Sequence, residues 1–180
     1  MSAMPSSRRG WLAAAAGLTM AGVGAGLVWR TSSRQSQTLS EAERLFWQQQ
    51  FSQLDGVLLP TNSFKGKPLV LNFWATWCPP CIEELPLINN FFQKNQANGW
   101  QVLGLAVDQA DPVKRFLTGL PLAFPVALAG FPGLEISRSL GNLSGALPFT
   151  VVFGSTGHVL HRKMGKLTNA DMGLWETLPI

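Results

Sequence analysis

The chain has 180 residues, 46% hydrophobic and only 13% charged. That balance excludes a disordered polar tail as the main body and leaves room for one domain of roughly 100 to 150 residues plus an appendage. The net charge of +4 does not describe a nucleic-acid binder: Arg8, Arg9 and Arg30 stand without an acid in the first 30 residues, and the remaining 150 hold 11 basic and 10 acidic residues, so no basic stripe is left to track phosphates.

Residues 11 to 29, WLAAAAGLTMAGVGAGLVW, carry no charge. As a helix the run measures about 28 Å, enough to cross a hydrocarbon core of roughly 30 Å. It is rich in Gly and Ala for a membrane span and long for the apolar region of a cleaved signal. The LVWRTSSRQSQ behind it offers no A-x-A cleavage pattern. Residues 1–30 therefore read as an export signal or membrane anchor, with an uncleaved anchor favoured. SRRGWL also fits a twin-arginine signal, with Trp11 where Phe is common. Arg8 and Arg9 on one flank face Arg30 and Arg34 on the other, so charge does not set the orientation. Residues 31–39, TSSRQSQTL, are polar and aperiodic and read as a linker, which places the globular domain at 40–180.

Ser40 to Glu43, SEAE, is a capping box opening a short helix through RLFWQQQ. Asp55-Gly56 between apolar runs predicts a hairpin. PLVLNFWA, residues 68–75, is a continuous apolar run suited to a strand buried on both faces. From Pro79 a helix is expected, with Ile82, Leu85, Ile88 or Asn89, and Phe92 along its apolar stripe, a bend or break at Pro86 and a stop at Gly99. WQVLGLAVD reads as a second buried strand, and Asp111-Pro112 as a cap followed by a first-turn proline. AFPVAL suggests a short strand and GLEISRSLG a short helix. PFTVVFGSTGHVLHRKMG reads as a hairpin turning at Ser155 to Gly157, and Thr168 caps a last helix carrying Trp175. Parallel strands with helical crossovers, closed by an antiparallel hairpin and a helix, make a three-layer α/β/α sandwich.

Cys78 and Cys81, the only cysteines, fall at a strand-to-helix junction. As a staple they close so short a loop that the entropic gain is at its smallest. As a zinc site they need His158 and His161, which stand three apart on a strand and point to opposite faces; no metal is expected. As a redox pair each feature has a role. Cys78 sits where the helix N-terminus favours a thiolate, and Cys81, one turn in, resolves the mixed disulfide. Pro79 and Pro80 remove amide donors that a capping sulfur would use, leaving the Cys81 amide, so the expected lowering of the Cys78 pKa is moderate.

The stretch NFWATWCPPCIEELP, with SFKGKPLVLNFWATWCPPC, LGLAVDQADPVKRFL, LAFPVAL and ALPFTVVFGSTGHVL in order around it, resembles the thioredoxin superfamily. Within it the likeness is to the TlpA/ResA group of membrane-anchored, extracytoplasmic thiol-disulfide oxidoreductases. The likeness runs from about Phe51 to the C-terminus. It implies a thioredoxin-like fold with a central βα insertion, here preceded by the N-terminal hairpin, and no cofactor beyond the Cys78–Cys81 disulfide. It implies a cis-proline at Pro148, which turns the Leu147 backbone toward an incoming extended peptide. Glu84 matches an acidic residue that exchanges a proton with the resolving thiol; the alternative is a solvated charge beside Glu83. Asn72 stands where thioredoxin has a buried aspartate, and because Asn does not titrate the proton role passes to Glu84. Trp74 and Trp77 read as packing and rim residues.

The resemblance further implies a bacterial inner-membrane anchor or a periplasmic location, and reduction of disulfides in periplasmic cysteine proteins such as apocytochromes c or copper-site assembly proteins. A membrane electron donor of the DsbD or CcdA type would recharge the pair. A disulfide-donating oxidase of the same fold and a copper- or zinc-carrying assembly chaperone are the alternatives. A peroxiredoxin is excluded by Ala75, which stands where that group has threonine.

Overall fold

The computed structural model describes residues 38–178; the apolar run 11–29, its flanking arginines and nearly all of the linker lie outside the described residues. Among the described residues no helix is long and apolar enough to cross a membrane.

The domain opens with α1 (Glu41–Phe46) and a hairpin of β1 (Gln50–Gln53) and β2 (Leu58–Pro60). Ser40 and Glu43 close the expected capping box: Ser40 Oγ accepts from the Glu43 N–H at 3.3 Å, and Glu43 Oε2 accepts from the Ser40 N–H at 2.7 Å. In the hairpin turn Gly56 takes φ 86°, the left-handed conformation a tight reversal needs.

β3 (Leu69–Trp74) is buried at every position. It pairs in parallel with β4 (Gln101–Ala106) and antiparallel with β6 (Phe149–Phe153), which explains its unbroken apolar run. Among the described residues the sheet has seven strands in the order β2-β1-β5-β4-β3-β6-β7. β5 (Val126–Leu128) runs parallel to β4, and β7 (Val159–Met164) antiparallel to β6. β1 adds antiparallel to β5, so the N-terminal hairpin widens the sheet on the side of the inserted strand.

Helices α2 (Pro79–Asn95), α3 (Ala110–Gly119), α4 (Gly133–Ser139) and α5 (Asn169–Trp175) follow in the predicted order. Because strand side chains alternate, the sheet has two covered faces. Val70, Trp74, Val102 and Val152 pack toward α2, α3 and α5 through Leu85, Ile88, Val113 and Trp175. Leu69, Leu71, Phe73 and Val151 pack toward α1 and α4 through Phe46 and Ile136. Thr168 caps α5 as expected, with Asp171 completing a second capping box.

Two local expectations shift. α3 starts earlier than Asp111-Pro112 suggests: Gln109 is the N-cap, and both residues lie in the first turn, where the missing N–H of Pro112 would have had no helical acceptor. On α2 the buried stripe is Cys81, Glu84, Leu85, Ile88, Phe91 and Asn95, while Ile82 and Phe92 are only partly buried. Phe91 is drawn in by edge-on contacts with Trp100 and Trp175, at ring separations of 5.2 and 5.5 Å. The helix continues through Pro86 and gives way to a 3-10 turn, Gln96–Asn98, which ends at Gly99 with φ 91°.

Candidate active site

β3 delivers the chain to the cysteines. Past Trp74 the ladder with β4 runs one rung further, the Val107 N–H donating to the Trp74 carbonyl at 2.8 Å. The chain then reverses, the Cys78 N–H donating to the Ala75 carbonyl at 3.2 Å. Cys78 is the N-cap of α2, and Pro79 and Pro80 fill the first two helical positions, where helix amides have no internal acceptor.

Cys78 and Cys81 are joined in a disulfide with an S–S distance of 2.01 Å. Cys78 is 3% exposed and Cys81 is fully buried, so the little access the pair has is at Cys78. Trp77, beside it in the chain, is 56% exposed. The Cys81 amide does not reach for the sulfur. It donates to the Cys78 carbonyl at 3.0 Å, and the Cys78 side chain receives no capping hydrogen bond. What the helix offers that sulfur is its field rather than an amide contact.

Glu84 lies one turn beyond Cys81 on the same face of α2, a spacing that sets Cβ atoms about 5–6 Å apart. It is fully buried, so it is not a solvated charge; Glu83 next to it is the exposed member and pairs with Lys166. Glu84 Oε1 accepts from Asn72 Nδ2 at 2.7 Å, and Oε2 accepts from the Leu167 N–H at 2.7 Å. Asn72 Nδ2 also donates to Thr150 Oγ1 at 3.0 Å. Burial pushes the Glu84 carboxyl up to about 7 and the charge of Asp171 pushes the same way, against the Leu167 and Asn72 donors and the charge of Lys166, which pull it down. A carboxyl near neutrality, one turn from the buried sulfur, suits proton exchange with a thiol.

The Leu147–Pro148 peptide bond is cis. Phe149 pairs with Phe73, so Pro148 lies where β6 meets the end of β3, beside the turn that carries Cys78. Trp74 is fully buried on the α2 side of the sheet. It lies over Gly104, where an added Cβ would come within 3.2 Å of Trp74 Nε1. The histidines stand apart from the cysteine pair in the fold. His161 lies opposite Val152 on β7, and His158 Nδ1 is 3.7 Å from Glu43 Oε2.

Three participants escaped the sequence. Thr150 and Leu167 contact the Asn72–Glu84 pair across 78 and 83 residues, and no local pattern announces either. Asp108 was legible in principle, as an acid at the carboxyl end of a buried parallel strand, where open α/β sheets place their functional groups. It is 7% exposed, and its Oδ2 accepts from both the Thr76 N–H at 2.8 Å and Thr76 Oγ1 at 2.6 Å.

Known proteins carry the same arrangement of chain. The Redoxin family matches residues 45–173. The thiol-disulfide oxidoreductase ResA of Bacillus thuringiensis subsp. konkukian is 34% identical over 120 residues, covering 66% of this chain and 67% of that protein. Among solved structures, a chain described as a DsbE thiol:disulfide interchange protein from Chlorobium tepidum superposes with a TM-score of 0.62 at 27% identity, covering 71% of this chain and 87% of that one. A second thiol:disulfide interchange protein of the thioredoxin family, from Chlorobium tepidum TLS, gives a TM-score of 0.59 at 28% identity over 68% of this chain and 86% of its own. By its sheet, its disulfide at the head of α2 and these relatives, the chain belongs to the Redoxin family, as a ResA-like thiol-disulfide oxidoreductase of the thioredoxin superfamily.

Proposed function

We propose that this oxidoreductase works as an exported reductant of protein disulfides, held at the outer face of the bacterial inner membrane by residues 1–30, with cysteine-containing periplasmic proteins as clients. The observation that carries the reading is the Cys78–Cys81 disulfide at the head of α2 with a buried Glu84 one turn away. In the reduced enzyme the Cys78 thiolate attacks one sulfur of a client disulfide, forming a mixed disulfide and releasing the other client sulfur as a thiolate. The Glu84 carboxylate takes the proton of Cys81. The Cys81 thiolate then attacks Cys78 Sγ, the second client sulfur leaves, and two electrons have passed from the pair to the client. Trp77, Leu147 and Pro148 border the site on which the client segment lies, while Asn72, Trp74, Pro79 and Pro80 hold the cysteines and Glu84 in place. A membrane dithiol donor of the DsbD or CcdA type returns the electrons, and apocytochromes c or copper-site assembly proteins are candidate clients.

The test is the reduction potential of the Cys78/Cys81 couple, equilibrated against glutathione or dithiothreitol. A value at or below about −230 mV supports a reductant; a value near about −120 mV makes the protein a disulfide donor and overturns the direction. Location is tested on membranes: protein that stays with the bilayer through an alkaline wash supports the anchor, and protein released intact without residues 1–30 refutes it.

A further inference from the structure

The turn that carries the nucleophile is held from outside its own segment. Ala75–Cys78 is closed by one backbone hydrogen bond, from the Cys78 N–H to the Ala75 carbonyl, and a lone bond of that kind is a weak constraint. Inside the turn, Thr76 offers two donors, its N–H and its hydroxyl, and a single oxygen of Asp108 accepts both, at 2.8 and 2.6 Å. The other Asp108 oxygen accepts from the Gln109 N–H at 2.7 Å, which fixes the carboxylate to the start of α3. Bonds to an ionised acceptor are shorter and about twice as strong as neutral ones. The rung before it, Val107 to Trp74, is the last backbone link between β3 and β4; Asp108 continues the ladder by side chain where the backbone leaves it.

We propose that Asp108 is a positioning residue for Cys78: through Thr76 it holds the turn so that the sulfur stays at the N-terminus of α2 when the disulfide is open. The inference rests on the reading of Cys78 as nucleophile and adds what keeps it in place. While the disulfide is closed, Cys81 tethers the Cys78 sulfur to the helix; after reduction that tether is gone, and the Asp108–Thr76 link is the side-chain constraint on the turn, beside the backbone bonds that the Cys78 N–H gives Ala75 and that the Cys81 and Ile82 amides give the Cys78 carbonyl. A loosened turn lets the sulfur drift from the helix field that favours its thiolate. Removing Asp108 then raises the Cys78 pKa by lost position, although removing a negative charge by itself would lower it. The two effects have opposite signs.

The experiment uses the reduced full-length protein in detergent, with glutathione disulfide as the probe, and follows the rate of attack against pH to give a thiolate pKa and a plateau rate. Asp108→Ala is expected to raise the pKa and to lower the plateau at least about tenfold, as small misplacements of a reacting atom do. Asp108→Asn keeps an acceptor oxygen for Thr76 while setting its NH2 against the Gln109 N–H, and is expected to be slowed clearly less than Asp108→Ala, with a pKa unchanged or lower. Thr76→Val, losing one donor of two, should fall between them and add nothing when combined with Asp108→Ala. Circular dichroism melting confirms that each variant is folded at the assay temperature.

An Asp108→Ala protein with parental rate, a lowered pKa, an Asp108→Asn protein as slow as Asp108→Ala, or effects that multiply in the double variant each overturn the proposal. If Asp108→Ala does not fold, Thr76→Val decides: a raised pKa and a slower plateau support the link, and parental values refute it. A Cys78→Ala protein that still attacks the probe, beside a Cys81→Ala protein that does not, marks the failure of the nucleophile reading itself and removes the proposal with it.

Discussion

Replacing Glu84 by Gln removes a titrating group from the core and keeps its shape. The native carboxyl is held at about 7, against 4.5 for an unperturbed glutamate. Between those two values the folded chain keeps a proton that the unfolded chain has released. The folded pKa is the higher one, so this group's contribution is most favourable below about 4.5, declines as pH rises through about 7, and is level above that. At roughly 1.4 kcal/mol per pH unit the decline amounts to about 3 kcal/mol. The glutamine variant has no such slope. It does present an NH2 where a carboxylate oxygen accepts from Asn72 or Leu167, and a donor facing a donor costs about 1–3 kcal/mol. Glu84→Gln is therefore expected to be less stable than the parent near pH 5 and to draw level or pass it near pH 8. The assay is urea unfolding of the oxidised protein at both pH values, and taking the difference between the two proteins cancels every group they share. Parallel behaviour, with the difference constant to within about 1 kcal/mol, refutes a Glu84 whose proton is held by burial.

Cys81→Ala is expected to accumulate a mixed disulfide through Cys78 with clients or glutathione, seen as an added mass that dithiothreitol removes; Cys78→Ala should accumulate none. Asn72→Asp sets a second carboxyl against Glu84 at the place where 2.7 Å now separates amide and carboxylate. The pair then shares one proton, and the pH profile of disulfide exchange should move to higher pH by at least about one unit, an unmoved profile counting against the contact. Gly104→Val drives a side chain into Phe124, whose Cε2 would lie 3.0 Å from an added Cβ, and into Trp74. A loss of about 1–3 kcal/mol in chemical unfolding is expected, and an unchanged midpoint would mean that this face of the sheet has room.

Local chemistry was legible where the determinant and its target are close in sequence. SEAE capped α1, Asp55-Gly56 turned a hairpin, and the unbroken apolar run of residues 68–75 announced a strand covered on both faces. The order of elements, and with it the sandwich, followed from these. The stripe on α2 came out shifted because Glu84, an acid, occupies a position that a hydrophobic pattern does not count, and because Phe91 rather than Phe92 meets Trp100 and Trp175. Asp111-Pro112 misled for a related reason: α3 starts at Ala110, and the acid that matters there, Asp108, lies before the N-cap, holding the Gln109 N–H with one oxygen and Thr76 with the other. Thr150 and Leu167 reach Asn72 and Glu84, respectively, only once the sheet has formed and α5 has docked. Such long-range partners leave no trace in a window of a dozen residues.

The clamp between α1 and the β6–β7 turn has a mechanical meaning. Glu43 Oε1 accepts from the Val159 N–H at 2.6 Å and Trp47 Nε1 donates to the Gly157 carbonyl at 2.8 Å, while the Phe46 and Phe153 rings stack at 5.0 Å. These contacts lie at the Phe153 end of β6, whereas Pro148 and the cysteine pair lie at its Phe149 end, five residues or about 17 Å away. A pull arriving along the chain from before Thr38 is thus taken up by the pole of the sheet that performs no chemistry. Load applied at the Phe153 end of β6 therefore meets contacts that the cysteine pair does not share, and the geometry of the disulfide turn need not yield before the clamp does.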